Sequence, residues 1–156
     1  MADSRRKLIR LALGARGESI RQTDGYNTDC GRNVQHGPLD ATTDDPQPRL
    51  AIVPGDLPDS ENKLLDGTDE IKRWPLTVTG RVAVDPKDPF ADLVVEDLLA
   101  DIKRAFFVSA DRTLGGLAID IETAGEPKLD LREAGGTTVG CTVGLVVLFE
   151  ESYGGS

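Results

Sequence analysis

The segment Pro89–Val108 (PFADLVVEDLLADIKRAFFV) constrains the fold of this chain more than any other, because its apolar spacing predicts a long amphipathic helix. Asp88 is a favourable N-cap, and Pro89 suits the first helical position, where its missing N–H would be unpaired anyway. Phe90, Val94, Leu98, Ile102 and Phe106 recur every four residues, with Val95, Leu99 and Ala105 widening the stripe. Asp92, Glu96, Asp101 and Lys103 are expected on the remaining faces. Burying the five side chains of the stripe contributes roughly 8–15 kcal/mol at about 1.5–3 each, which is comparable to the net stability of a whole domain. The rest of the chain is therefore expected to form strands and loops that cover this face.

A first, weaker helix is predicted from Ser4 to about Arg16, with Leu8, Leu11, Ala12 and Ala15 on one face, Ile9 and Leu13 alongside, and Gly14 and Gly17 weakening its end. Asn27 to Val34 is a short strand candidate between Asp-Gly and Gly-Pro turn signals, and Leu50 to Val53 a second. Trp74 to Val84 alternates as a strand, with Gly80 at a possible bulge. After the central helix, Leu117, Ile119 and Ile121 point one way while Asp120 and Glu122 point the other. Lys128 to Glu133 forms a further strand beyond the Ala-Gly-Glu-Pro turn. The longest strand is Thr138 to Glu150, where Val139, Cys141, Val143, Leu145, Val147 and Phe149 share a face. These elements predict an α+β domain over residues 1–150, a mostly antiparallel or mixed sheet of about five to six strands with two helices packed on one face. The three strands after the central helix are spaced for hairpin connections. Thr77, Thr79, Asp120, Glu122, Asp130 and Thr142 are expected on the other sheet face. Residues 37–48 and 55–72 read as flexible acidic, Pro- and Gly-punctuated loops, and 151–156 as a disordered tail.

Composition narrows the function. One core fits 156 residues, and no apolar run is long enough to cross a bilayer, so a soluble chain without a membrane partner is expected. The N-terminus is a poor secretory signal, which points to synthesis in the cytoplasm. A formal charge of −9 disfavours nucleic-acid binding, which depends on lysine and arginine displacing counterions from phosphates. Cys30 and Cys141 have no CxxC partner or histidine cluster and read as structural thiols.

The motifs of catalysis are weak. Gly135-x-x-x-x-Gly140-Cys141-Thr142 has P-loop glycine spacing but lacks the lysine and runs into a strand. His36, the single histidine, sits in a turn with no nucleophile nearby. Glu126-Pro127-Lys128 has the E-x-K form of metal-dependent nucleases, with Asp120 or Asp59 as further carboxylates, but such short matches arise by chance in a charged chain. Asp85, Asp88, Asp92 and Glu96 suit the start of a helix better than a calcium or magnesium loop. No cofactor, no metal and no enzymatic activity are expected.

The run Thr23-Asp24-Gly25-Tyr26-Asn27-Thr28-Asp29-Cys30-Gly31-Arg32, following a basic N-terminal helix and leading toward a strand, resembles the start of minor tail or tail terminator proteins of long-tailed (siphovirus-type) bacteriophages. They carry a similar Gly, aromatic, polar, Thr-Asp, small, Gly run. The resemblance continues at Leu50 to Asp56, at the helix ending Asp101-Ile102-Lys103-Arg104-Ala105, and at Thr113 to Ile121 before a closing hairpin. Leu39 to Pro48 and Leu57 to Lys72 have no counterpart in it. It implies a structural virion protein that forms a ring, usually of six, at the head-proximal end of the tail tube, ends tube polymerisation and offers the surface on which the head docks. The implied partners are further copies of the chain, the major tail tube protein and a head–tail connector or stopper protein. DNA would pass through the lumen without specific binding, and the protein would reside at the tail–neck junction after assembly in the host cytoplasm. Tyr26, Asn27, Thr28, Asp29 and Arg32 are the expected subunit or tube contact, although Asn and Asp also cap turns locally and a tyrosine packs at their edge. A head-completion or connector adaptor, a metal-dependent nuclease and a monomeric binding domain are the alternatives.

Overall fold

A computed structural model describes residues 4–37, 49–55, 62–63, 69–85, 87–108, 112–130 and 138–152. The elements are α1 (Arg5–Glu18), β1 (Val34–Gln35), β2 (Arg49–Pro54), β3 (Asn62–Lys63), β4 (Asp69–Ala83), α2 (Val94–Lys103), β5 (Asp120–Thr123), β6 (Lys128–Asp130) and β7 (Thr138–Ser152). They form an α+β fold around one mixed sheet ordered β1-β2-β4-β7-β5, with β3 also on β4 and β6 also on β7. Only the β1–β2 pair is parallel; the others are antiparallel.

The frame is the β4–β7 ladder, which runs in unbroken register from Asp69↔Ser152 to Ala83↔Thr138. Alternation puts Trp74, Leu76, Val78 and Val82 of β4 and all six predicted apolar residues of β7 on one buried face. Both helices cover that face. Gly80 lies opposite Leu50 of β2 and Cys141 of β7 with no bulge; a Cβ there would stand 2.8 Å from Leu98 Cδ1, so the missing side chain seats α2 against the sheet. α1 reaches the same face through Gly17, where a Cβ would meet Leu50 Cδ2 at 2.5 Å.

Several expectations are corrected. The central helix is not one regular α-helix from Pro89. Asp88 does accept a hydrogen bond from the Phe90 N–H at 2.9 Å, but a 3-10 turn (Ala91–Leu93) precedes α2, and a π turn (Arg104–Val108) follows it. The phase linking Phe90 to Val94 is therefore lost, and Phe90 and Leu93 are 67% and 61% exposed. In α1, Ile9 and Leu13 are the buried line and Leu11 points outward, because contact through Gly17 selects that stripe. The Asn27–Val34 strand candidate is mostly loop, with a 3-10 turn at Cys30–Arg32 and only Val34 entering β1.

Residues 69–72, expected as loop, extend β4, and Glu151 and Ser152, expected as tail, extend β7. Each strand supplies backbone partners for the other beyond the apolar stretch. β3 also falls within the expected 55–72 loop. Residues 38–48, 56–61, 64–68, 131–137 and 153–156 lie outside the described residues, and with them most of the predicted loops, Asp59, Gly135 and the end of the Lys128–Glu133 strand. β5 and β6 do not form a hairpin. Both run along one edge of β7 in the same direction, Asp120↔Leu148 through Asp130↔Gly140, with Ala124–Pro127 bulging out between them. Ile119 lies just before β5 and is exposed, whereas Ile121 is buried in it.

The second sheet face carries the six predicted residues in register, its threonines Thr79 and Thr142 facing each other with hydroxyls 3.1 Å apart. Arg73 on that face pairs with Glu122 at 3.2 Å, and Asp120 pairs with Arg112 at 3.0 Å.

Candidate functional site

The loop between α1 and β1 holds the wording that set this sequence apart, and its conformation is dictated from α2. Asp101 is only 2% exposed, yet it is a carboxylate. Burying such a charge is favourable only when donors satisfy it, and the loop provides three. The backbone N–H groups of Asn27 and Thr28 donate to its two oxygens at 2.9 and 2.7 Å, and the Thr28 hydroxyl donates at 2.7 Å. One turn further along, Arg104 donates to the Gly25 carbonyl at 2.8 Å and lays its guanidinium over the Tyr26 ring, 4.4 Å from the centroid. Asp101 and Arg104, three residues apart, share one helix face and grip the loop from Gly25 to Thr28.

The other side of the loop is held to α1. Gly31 donates its N–H to the Ile20 carbonyl at 3.0 Å. A Cβ on Gly31 would stand 2.4, 2.7 and 2.9 Å from the carbonyl oxygens of Gly17, Ile20 and Glu18, so no larger residue fits without backbone movement. Asp29 accepts from the Gln22 N–H at 2.8 Å, which closes the loop on itself. Cys30 is buried in the core cluster.

The structure thus brings Tyr26, Asn27, Thr28, Asp29 and Arg32 together, but most of their polar groups are used internally. Thr28 is buried and Tyr26 half-buried, and Asp29 lies 4.0 Å from Arg32 as well as holding Gln22. The surface the run presents is made by the Asn27 side chain, the outer edge of Tyr26 and Arg32, whose side chain is 63% exposed.

Sequence reasoning missed Asp101 and Arg104. Asp101 is assigned above to the outer faces of the helix, whereas it stands three residues after Leu98 and seven after Val94, inside the stripe. A carboxylate at such a position is the signal that could have found it.

The remaining candidate groups are scattered. Burial is the first cause that pushes both thiols up to about 12; the Asp101 and Asp29 carboxylates add to it at Cys30, and the neighbouring Cys30, Asp130 and Glu96 add to it at Cys141. Thiols in that condition are poor nucleophiles. His36 is exposed at the end of β1, and its pKa is lowered by partial burial and then by Arg10, with Glu18 opposing. Glu126 and Lys128 are exposed at the β5–β6 bulge, and Gly140-Cys141-Thr142 lies inside β7. Among the described residues no three His, Cys, Asp or Glu side chains are grouped to hold a metal, and no helix is long and apolar enough to cross a membrane. No protein-family model matches this chain, and no curated protein matches it.

Proposed function

We propose that this chain is the tail terminator subunit of a long-tailed bacteriophage, a structural protein rather than an enzyme. Its copies close into a ring, six in the family it resembles, at the head-proximal end of the tail tube. The ring ends tube polymerisation and presents the surface on which the head docks through a connector or stopper protein. DNA passes through its lumen without specific binding, in keeping with a net charge of −9. The protein is assembled in the host cytoplasm and stays in the virion at the tail–neck junction.

One observation supports this reading above the others. Two segments that carry the resemblance, Thr23–Arg32 and Asp101–Ala105, are far apart in sequence yet meet in one clamp, where Asp101 and Arg104 hold Gly25 to Thr28. That two segments carrying the resemblance also hold each other is in keeping with a common structural unit. The clamp also fixes the shape of an exposed loop, which suits repeated contact with a neighbour, since pre-ordered surfaces lose less entropy on binding.

The experiment is native mass spectrometry across protein concentration, with negative-stain imaging of the protein alone and mixed with purified tail tubes. Rings that cap one end of the tubes are expected. A chain that stays monomeric and ignores the tubes overturns the proposal, and rings that bind only portal-side proteins assign the chain to a connector adaptor instead.

A further inference from the structure

Two surfaces at opposite ends of the fold are complementary. At one end, the first turns of α1, the end of β2 and Trp74 enclose an open cavity of about 430 Å³. Trp74, Pro54 and the half-exposed Leu11 give it apolar lining, and Arg6, Lys7 and Arg10 give it a basic rim, with no carboxylate among the described lining residues. The first turn of α1 holds no acidic residue either. Cavities of this size accommodate a large apolar group with its neighbours. At the other end, the turn before α2 projects Phe90 and Leu93, the two most exposed large apolar side chains among the described residues. Asp85, Asp88, Asp92, Glu96 and Asp97 flank them in the sequence, against the single exposed cation Lys87 in that stretch, so the tip carries a net negative charge. An exposed aromatic side chain leaves apolar surface in water, and an aromatic anchor flanked by polar residues is the usual composition of a protein contact.

The two surfaces cannot meet within one molecule. Trp74 lies in the first half of β4 and the Phe90 turn follows its far end at Ala83, about 30 Å away at ~3.3 Å per residue. We infer that the acidic Phe90–Leu93 tip of one copy inserts into the basic Trp74–Arg6 cavity of the next copy. Such a contact is heterologous, head to tail, and generates a closed ring when its rotation closes. It rests on the ring reading for that closure. The signs agree: the basic rim meets the acidic tip, which also sets the orientation of the aromatic anchor.

The test uses the full chain and two exposed positions, so that folding is not at stake. Phe90→Asp removes the tip and leaves the cavity; Arg6→Glu reverses the rim and leaves the tip. Each variant is compared with wild type for unchanged melting and then examined by sedimentation velocity and native mass spectrometry. Wild type is expected to self-associate, and each variant to do so at least tenfold more weakly. The equimolar mixture is expected to form a one-to-one heterodimer and nothing larger, because each copy keeps one working half of the contact.

Wild-type assembly by either variant, or a mixture that stays monomeric, overturns the inference. If wild type rings and caps tubes while both variants do the same, the ring reading stands and this contact falls. If the heterodimer forms but wild type never engages a tube, the contact stands and the terminator reading falls. Unaltered self-assembly of Arg6→Glu with loss of tube capping assigns the cavity to the tube protein and overturns the contact between copies. A wild-type chain that is monomeric at every concentration, with and without tubes, overturns both.

Discussion

The two ends of the α2 segment invert the ordinary pattern of a helix in opposite ways. At its C-terminal end a carboxylate, Asp101, is buried; at its N-terminal approach a phenylalanine and a leucine, Phe90 and Leu93, are exposed. The difference lies in where the compensating groups are. Asp101 finds its three donors inside the chain, so its burial is a closed arrangement that fixes the loop from Gly25 to Thr28. Phe90 and Leu93 stay mostly exposed among the described residues, so their apolar surface points outward. A buried charge with full partners speaks of architecture, and an exposed apolar cluster speaks of contact.

The same substitution at two places on this segment separates the middle of the helix from its tip. Leu98→Asp puts a carboxylate against Gly80 inside the apolar core cluster, where burying a charge is costly. Loss of cooperative folding is expected, seen as a missing thermal transition in circular dichroism; a soluble Leu98→Asp protein that melts cooperatively would show that this face is not core.

The clamp comes next in size. Asp101→Ala leaves the buried Thr28 N–H and the part-buried Asn27 N–H without their acceptor, which destabilises by about 3 kcal/mol given ~1–3 per unsatisfied group. Asp101→Asn keeps one acceptor oxygen and is expected to lose less. Urea titration measures both. Equal losses from the two variants would mean that side-chain volume, not hydrogen bonding to the loop, is what the position provides.

Cys30 and Cys141 test how dry the region beside the clamp is. Their folded pKa values near 12 lie above the ordinary 9.0, so between those values the unfolded chain ionises while the folded one does not. The unfolded state then binds fewer protons, and stability contributed by the neutral buried thiols is complete below about 9 and is lost as pH rises toward 12. The melting temperature is expected to fall over that alkaline range, and to fall less in Cys30→Ala measured against its own value at neutral pH. Thiol-reactive dye at pH 8 is expected to leave both cysteines unlabelled until denaturant is added. Rapid labelling of the native protein would place them in water.

Much of this frame is legible in the sequence. β7 shows its inner face in six alternating apolar residues, and the middle of α2 shows its stripe, because burial against one surface leaves a strict period. The clamp is not legible in the same way. Its hydrogen bonds join positions 73 and 74 residues apart, and a carboxylate at a stripe position reads as surface until its donors are known. Periodicity also misplaced Phe90, because one 3-10 turn before α2 changes the phase of everything N-terminal to it. The first residues of β4 and the last of β7 escaped for another reason. Apart from Ile71 they are polar, and they pair through each other's backbone without an apolar alternation to announce a strand.

Phe90→Asp carries the smallest expected effect on the isolated subunit. The ring is two-thirds exposed, and its backbone N–H stays bonded to the Asp88 carboxylate whatever the side chain. A new acid beside Asp88 and Asp92 adds repulsion, but it sits before the N-terminus of α2, where the helix dipole favours negative charge. These terms oppose each other, so a change within about 0.5 kcal/mol is expected, as for surface positions generally. The measurement is urea unfolding at a concentration low enough to keep every copy separate. A loss above about 1 kcal/mol would mean that Phe90 packs within its own subunit. The two ends of the helix would then differ in the kind of partner they hold, not in whether that partner belongs to the same chain.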